Sequence, residues 1–250
     1  MHSKIISFLP DKYKSIPIHC YESIDSTNLS AKNFAREGTS LPFLVTADSQ
    51  TAGRGRLGRS FYSPAETGIY MSLAIGPFPT PADAVFITTA TAVAVSDAII
   101  SLTGKIPGIK WVNDIYLGGK KICGILAESQ KTPDGYAVIV GIGLNMTTSH
   151  FPEDISAIAG ALETDIPKEQ MIAGITENLL EICSTPSDAS IIERYKSRSI
   201  VLGKEITYSL NDKIKTGVAT DIDRFGGLVV RTENGDITTL SSGEISVRVK

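Results

Sequence analysis

A chain of 250 residues with 42% hydrophobic and 20% charged positions has the make-up of a globular protein with a substantial core, built as one large domain or a large domain with a small partner. Its net charge of −3 provides no overall basic field to draw it to nucleic acid or membrane. Three cysteines (Cys20, Cys123, Cys183) without C-x-x-C spacing argue against a disulfide framework or zinc cluster, and His2, His19 and His150 form no triad or metal spacing. Residues 1–10 lack a signal-peptide core and no apolar run reaches membrane-spanning length, so a reducing cytoplasm is the expected compartment.

In chain order, residues 15–21 (SIPIHCY) read as a short strand. Asp25-Ser26-Thr27-Asn28 followed by LSAKNFAREG predicts a helix with a polar N-cap, an apolar side at Leu29 and 31–35, and Gly38 as its stop. Ser26, Thr27 and Asn28 have two open readings: they cap the helix, or they hold polar ligand groups at its N-terminus. Residues 43–48 and 68–75 predict strands on either side of a segment, 50–73, that organises the chain. Its core, Gly53-Arg54-Gly55-Arg56-Leu57-Gly58-Arg59, places three glycines and three arginines in seven residues. Glycines let backbone fold closely around a ligand, and arginines offer forked donors for phosphate or carboxylate. The spacing matches G-x-G-x-x-G by letter, but a loop between two strands is the wrong context for a dinucleotide fingerprint or a P-loop.

Pro77, Pro79 and Pro81 predict a stiff turn, and residues 81–102 predict a buried helix ended by Gly104. Residues 109–117, the Gly118-Gly119 turn and residues 122–128 predict a hairpin. The strand predicted over 136–146 has a core face of Val138, Val140, Ile142, Leu144 and Met146. Its other face, Ala137, Ile139, Gly141, Gly143 and Asn145, ends bare and polar, as if a flat ligand or a tightly packed protein group lay against it. Residues 167–183 and 191–195 read as helical. After Leu202, short strands separated by Asn211-Asp212, Phe225-Gly226-Gly227 and Asn234-Gly235 predict a small β-barrel of about 50 residues, with a boundary near 198–202. The expected fold is α+β: a central mixed, largely antiparallel sheet covered by helices over residues 1–199, and the barrel over 200–250.

The polar residues suggest one kind of chemistry. Arg54, Arg56 and Arg59 come from the loop; Lys110, Asn113 and Asp114 from one side of the hairpin; Lys120 and Lys121 from its turn; Asn145 from the glycine strand. Many fixed cations, one carboxylate and no histidine suit phosphoryl or nucleotidyl transfer, where catalysis is positioning and charge neutralisation with Mg²⁺. Hydride transfer lacks its fingerprint, and glycoside hydrolysis lacks its two carboxylates. Taken singly, Lys120 and Lys121 also read as solvated turn lysines, Asn113 and Asp114 as turn formers, and Trp111 as core.

The set Ser26-Thr27-Asn28, Gln50-x-x-Gly53-Arg54-Gly55-Arg56-x-Gly58-Arg59, Lys110-Trp111-x-Asn113-Asp114, Lys121-x-x-Gly124-Ile125-Leu126 and Gly141-Ile142-Gly143-x-Asn145 closely resembles the biotin–protein ligases. The resemblance implies that the C-terminal barrel is SH3-like. It implies a two-step reaction in which biotin and ATP, with Mg²⁺, give biotinyl-5′-AMP, and a lysine of a biotin carboxyl carrier protein then takes the biotinyl group. By resemblance, Ser26, Thr27, Asn28, Gln50, Gly53, Arg54, Gly55, Arg56, Lys121, Gly124 and Gly143 serve biotin. Arg56, Arg59, Phe61, Lys110, Asn113, Lys121 and Asn145 serve the nucleotide. Lys121, Arg54 and Asp114 carry catalysis, with no dedicated protein metal site and Mg²⁺ arriving with ATP near Asp114. Neither a tightly bound cofactor nor a nucleic-acid or membrane partner is implied, and the enzyme is a monomer or homodimer. Phe61 stands where many relatives carry Trp, and Val112 where Pro is common. About 25 residues precede Ser26, too few for the DNA-binding domain some relatives carry, so ligase activity without operator binding is expected. The rivals are a lipoate–protein ligase-like acyl-adenylate enzyme and a non-catalytic biotin or nucleotide sensor.

Overall fold

A computed structural model describes residues 1–80, 84–184, 190–210, 213–241 and 248–249. Pro81, the Asn211-Asp212 turn and residues 242–247 of the last predicted strand lie outside them. The elements run α1 (His2–Phe8), β1 (Ile18–Ile24), α2 (Thr27–Arg36), β2 (Phe43–Gln50), β3 (Gly68–Phe78), α3 (Ala84–Thr103), β4 (Gly108–Lys110), β5 (Asp114–Leu117), β6 (Lys120–Thr132), β7 (Gly135–Asn145), α4 (Glu153–Ser156), α5 (Lys168–Ser184), α6 (Ser190–Arg198) and β8 to β12 (Glu205–Leu210, Lys213–Ile222, Leu228–Thr232, Ile237–Leu240, Arg248–Val249).

The first seven strands form one sheet in the order β1-β2-β3-β7-β6-β5-β4. Only β1 and β2 pair in parallel; every other neighbouring pair is antiparallel. The central strands are buried on both faces. Val138, Val140, Ile142, Leu144 and Met146 of β7 join the main core with α1, α3 and α5. Ala137 and Ile139 point the other way, into a smaller core with Ala31 and Ala35 of α2. α3 is apolar on nearly all sides, which suits a helix held inside a protein. Its stretch Val85–Thr103 is long and apolar enough to cross a bilayer, yet Ala90 to Val95, Ala98 and Ile99 are buried against the sheet and neighbouring helices. Its hydroxyls return to their own helix: Thr91 donates to Ile87 O, Ser96 to Ala92 O and Thr103 to Ile99 O.

Three expectations need correction. Residues 109–117 are not one strand. The chain reverses at Trp111–Asn113, so that β4 and β5 pair with each other and Lys110 stands opposite Asp114. Asn113 holds this reversal to β6 by donating Nδ2 to Ile125 O while its own carbonyl accepts from Ile125 N–H. Lys120 and Lys121 are the first residues of β6 rather than the turn itself. Pro77 lies within β3, near its end, rather than in a turn.

The C-terminal strands form an antiparallel sheet in the order β11-β10-β9-β8-β12, the sheet expected of the small barrel; among the described residues β11 and β12 are not paired to close it. Ile206, Tyr208, Ala219, Ile222, Leu228 and Val230 join the main core. The Trp111 indole N–H donates to Gly226 O at 2.8 Å, tying the 111–113 reversal to the loop between β9 and β10.

On the opposite edge, the His19 ring stacks on Phe34 at 4.3 Å and meets Phe43 edge-on, with Nε2 buried and unpartnered. Burial lowers this imidazole's pKa below its ordinary 6.5. The unfolded chain therefore protonates first as pH falls, and stability is lost through the interval below about 6.5. His19→Phe should flatten that loss: urea midpoints compared between about pH 7 and 5 should fall less in the variant than in the wild-type protein.

Candidate active site

One cleft lies between the N-terminus of α2, segment 50–61 and the faces of β5, β6 and β7. It encloses about 1060 Å³ including its solvent mouth.

At one end, Ser26 occupies the N-cap position of α2 but its side chain makes no capping bond. The helix start is fastened from outside. Thr27 N–H and Oγ1 both reach Gln50 Oε1, at 2.9 and 3.2 Å. The Ser72 hydroxyl lies 2.8 Å from Thr27 Oγ1 and 2.6 Å from Asn28 Oδ1. Gln50 Nε2 donates to Ser63 Oγ, whose hydroxyl approaches Phe61 O. Ser26, Thr27, Asn28 and Ser72 are all buried, which makes this a polar pocket end with fixed donors and acceptors. Of the two readings of Ser26-Thr27-Asn28, the geometry favours a lining role over capping.

Segment 50–61 folds back on itself. Gly55 N–H donates to Arg59 O at 2.7 Å, Arg59 N–H to Arg56 O, and Phe61 N–H to Gly53 O. Leu57, at the tip, is 65% exposed with φ +56°. Gly53 does not line the cleft; a Cβ there would stand 2.5 Å from Phe61 O and 2.6 Å from Ser63 Oγ, so its role is to let the loop close. Arg54, Arg56 and Arg59 all line the cleft. Arg54 and Arg59 are exposed, whereas Arg56 is half-buried and donates to Asn113 Oδ1 at 3.1 Å. Burial lowers the Arg56 pKa, and the nearby Asp114 charge opposes that shift.

The loop returns across the glycines. A Cβ on Gly143 would stand 2.4 Å from the Phe61 ring, and one on Gly124, its partner across β6 and β7, 3.3 Å. A Cβ on Gly141 would stand 2.3 Å from Asn28 Oδ1. The bare face of β7 is therefore packed by protein side chains at Gly141 and Gly143, and what the cleft leaves open is the space around them.

At the far end, Lys121 Nζ and Asp114 Oδ1 form an ion pair at 2.6 Å, with Lys110 and Trp111 on the same wall. Asp114 is the single carboxylate lining the cleft among the described residues, against Arg54, Arg56, Arg59, Lys110 and Lys121. Two predicted residues fall outside this wall. Lys120 turns away, with Nζ on Ser156 O and Ala157 O. Asn145 is buried behind the cleft, donating Nδ2 to Gly160 O at 2.9 Å and leaving Oδ1 unpartnered. Ser63 and Ser72 were missed in sequence reading, although a serine inside the apolar run Tyr70-Met71-Ser72-Leu73 was a visible signal. A row of cations facing one carboxylate, with a neutral polar pocket at the other end, can seat an anionic polyphosphate and a small polar acid side by side.

Residues 20–145 match the biotin/lipoate A/B protein ligase family, and residues 201–248 match the biotin protein ligase C terminal domain. Over 228 residues the chain is 34% identical to a bifunctional ligase/repressor BirA of Bacillus spizizenii, covering 87% of this chain and 68% of that protein. It is 30% identical to a biotin–[acetyl-CoA-carboxylase] ligase of Mycobacterium tuberculosis, covering 88% of this chain and 85% of that one. The biotin protein ligase from Aquifex aeolicus in complex with biotin and ATP superposes with a TM-score of 0.81 at 29% identity, covering 94% and 99% of the two chains.

Alanine at the two packed glycines should separate them. Asn28 is held by Ser72 and cannot retreat, so Gly141→Ala should cost about 1–3 kcal/mol in urea denaturation. Phe61 belongs to a loop, so Gly143→Ala should cost less than Gly141→Ala; equal costs would contradict this account.

Proposed function

Because the chain belongs to the biotin/lipoate A/B protein ligase family, we propose that its cleft takes biotin at the Thr27–Gln50 end and ATP beneath the arginine loop. The enzyme activates biotin with ATP and transfers the biotinyl group to a lysine of a carrier protein. The observation that carries the residue assignment is the gathering of Arg54, Arg56, Arg59 and Lys121 along the same cleft as the neutral Thr27–Gln50 pocket.

In the first step a carboxylate oxygen of biotin attacks the α-phosphorus, a P–O bond to pyrophosphate breaks, and biotinyl-5′-AMP forms. Two anions must approach each other, so charge neutralisation governs the barrier, and one well-placed donor is worth ~3 kcal/mol. Lys121 and Arg54 are the proposed donors at the reacting centre, with Arg56, Arg59 and Lys110 on the phosphates and Asn113 positioning Arg56. Asn145 keeps its unpartnered acceptor behind the cleft and is assigned no ligand contact. Phe61, Gly124 and Gly143 form an apolar wall, while Ser26, Asn28, Gly55 and Gln50 shape the biotin end and Gly53 lets the loop close beside it. Loop 53–61 covers the mixed anhydride from water. In the second step the acceptor amine attacks the acyl carbon and AMP leaves. Asp114, released from Lys121 once that lysine turns to the intermediate, is placed to take the amine's proton.

Mg²⁺ would accompany ATP and supply charge neutralisation on its phosphates. The residues fit that arrangement: one carboxylate, Asp114, lines the cleft, and a single carboxylate with substrate phosphates is enough to hold Mg²⁺. Residues 1–199 are proposed as the catalytic domain and 200–250 as an appended one, with a biotin carboxyl carrier domain as acceptor. The unpaired state of all three cysteines suits a cytoplasmic location.

Lys121→Ala tests the assignment. Pyrophosphate release with biotin, ATP and Mg²⁺ should fall at least ~100-fold, while the urea midpoint changes by no more than ~1 kcal/mol in stability, since a partly exposed ion pair contributes little. Normal turnover would remove Lys121 from the mechanism. With ATP present, biotin and not lipoate should raise the melting temperature.

A further inference from the structure

We propose that Glu128, fastened by Lys32, is a positioning residue for the biotin end of the cleft and acts through Asn28. This rests on assigning that end to biotin.

Most of the hydrogen-bonding capacity of the Asn28 amide is already committed within the protein. Its Nδ2 donates to Glu128 Oε2 at 3.0 Å and to Leu126 O at 3.3 Å, and its Oδ1 lies 2.6 Å from the Ser72 hydroxyl. Two amide donors meet two acceptors, and the amide oxygen faces a hydroxyl. The surroundings dictate which way the amide points: reversed, its oxygen would face a carboxylate and a carbonyl. Glu128 supplies the charged half of that demand. It does not line the cleft, and neither does Lys32. Lys32 follows Asn28 by four residues on α2, which puts both side chains on one helix face, and its Nζ pairs with Glu128 Oε1.

Asn28 then transmits the constraint inward. Its oxygen sits in the space that Gly141 leaves empty. Ser72 bridges Asn28 to Thr27, and Thr27 meets Gln50 through both its N–H and its hydroxyl. One continuous network thus runs from Lys32 through Glu128, Asn28 and Ser72 to Thr27 and Gln50, both of which line the cleft. Its outer ion pair is partly exposed, with side chains 23% and 27% accessible, so its contribution to stability is small. What it sets is the orientation of buried donors and acceptors, where a misdirected amide leaves polar groups unpaired.

The test is steady-state pyrophosphate release, varying biotin at saturating ATP and then ATP at saturating biotin. Glu128→Leu should raise KM for biotin about tenfold, as expected for loss of a charged hydrogen bond, and leave KM for ATP within about twofold. Glu128→Gln keeps an acceptor for Asn28 and should recover most of that loss; Lys32→Met should fall between them. An unchanged KM for biotin in Glu128→Leu, or an equal rise for both substrates, would overturn the proposal. Should Glu128→Leu fail to fold, Asn28→Asp decides. It sets two carboxylates face to face and should raise KM for biotin, and Glu128→Gln in the same chain should restore part of it; no restoration overturns the proposal. Absence of biotin-dependent pyrophosphate release from the wild-type protein would instead overturn the assignment of the cleft.

Discussion

The structure depends on backbone left bare in the middle of a sheet. Gly124, Gly141 and Gly143 sit on the adjacent strands β6 and β7, with Gly124 and Gly143 directly paired. Further along β7 on the same face, Ala137 and Ile139 pack under α2. At the glycines that cover stops, and two polar or loop-borne groups enter instead: the Asn28 amide over Gly141 and the Phe61 ring over Gly143. Had β7 continued as Val or Ile, α2 could not bring its N-terminus down to the sheet and loop 53–61 could not close. Glycine weakens a strand, and here the central position of β7 between β3 and β6 absorbs that weakness.

From that constraint the cleft acquires two unlike ends. The α2 end is neutral, buried and saturated with short hydrogen bonds among Thr27, Asn28, Gln50, Ser63 and Ser72. The β5–β6 end is cationic and more open, with Lys121 paired to the single carboxylate of the cleft. A neutral end recognises shape and hydrogen-bond pattern, whereas a cationic end attracts phosphates and lowers the cost of bringing a second anion beside them. Joining an acid to a nucleotide needs both in one cavity. The Lys121–Asp114 ion pair holds the lysine in a fixed place on the cleft wall.

The appended sheet takes part in this arrangement. Its strands share the main core, and the Gly226 carbonyl accepts from the Trp111 indole on the reversal that carries Asn113 and Asp114. Tyr195 of α6 donates to the Val112 carbonyl on the same reversal. Two parts of the chain distant in sequence therefore fix one three-residue turn, and through Asn113 they reach Arg56 of the loop.

Much of this was legible in the sequence. The arginine–glycine segment marked a loop between two strands, alternation marked the core face of β7, and the run after Leu202 marked a second sheet, because each is a local consequence of side-chain type and period. The sequence by itself also carried the family. The tertiary structure alone decided what lies on the glycines, since a missing side chain announces a close approach but not what makes it. It alone split 109–117 into two strands, because a run of β-forming residues looks the same whether it continues or reverses. It moved Lys120 and Asn145 off the cleft wall and brought Ser72, Glu128 and Lys32 into the network behind Asn28. Those are pairings between elements up to 100 residues apart, and no periodicity within one element encodes the partner it will meet across a sheet.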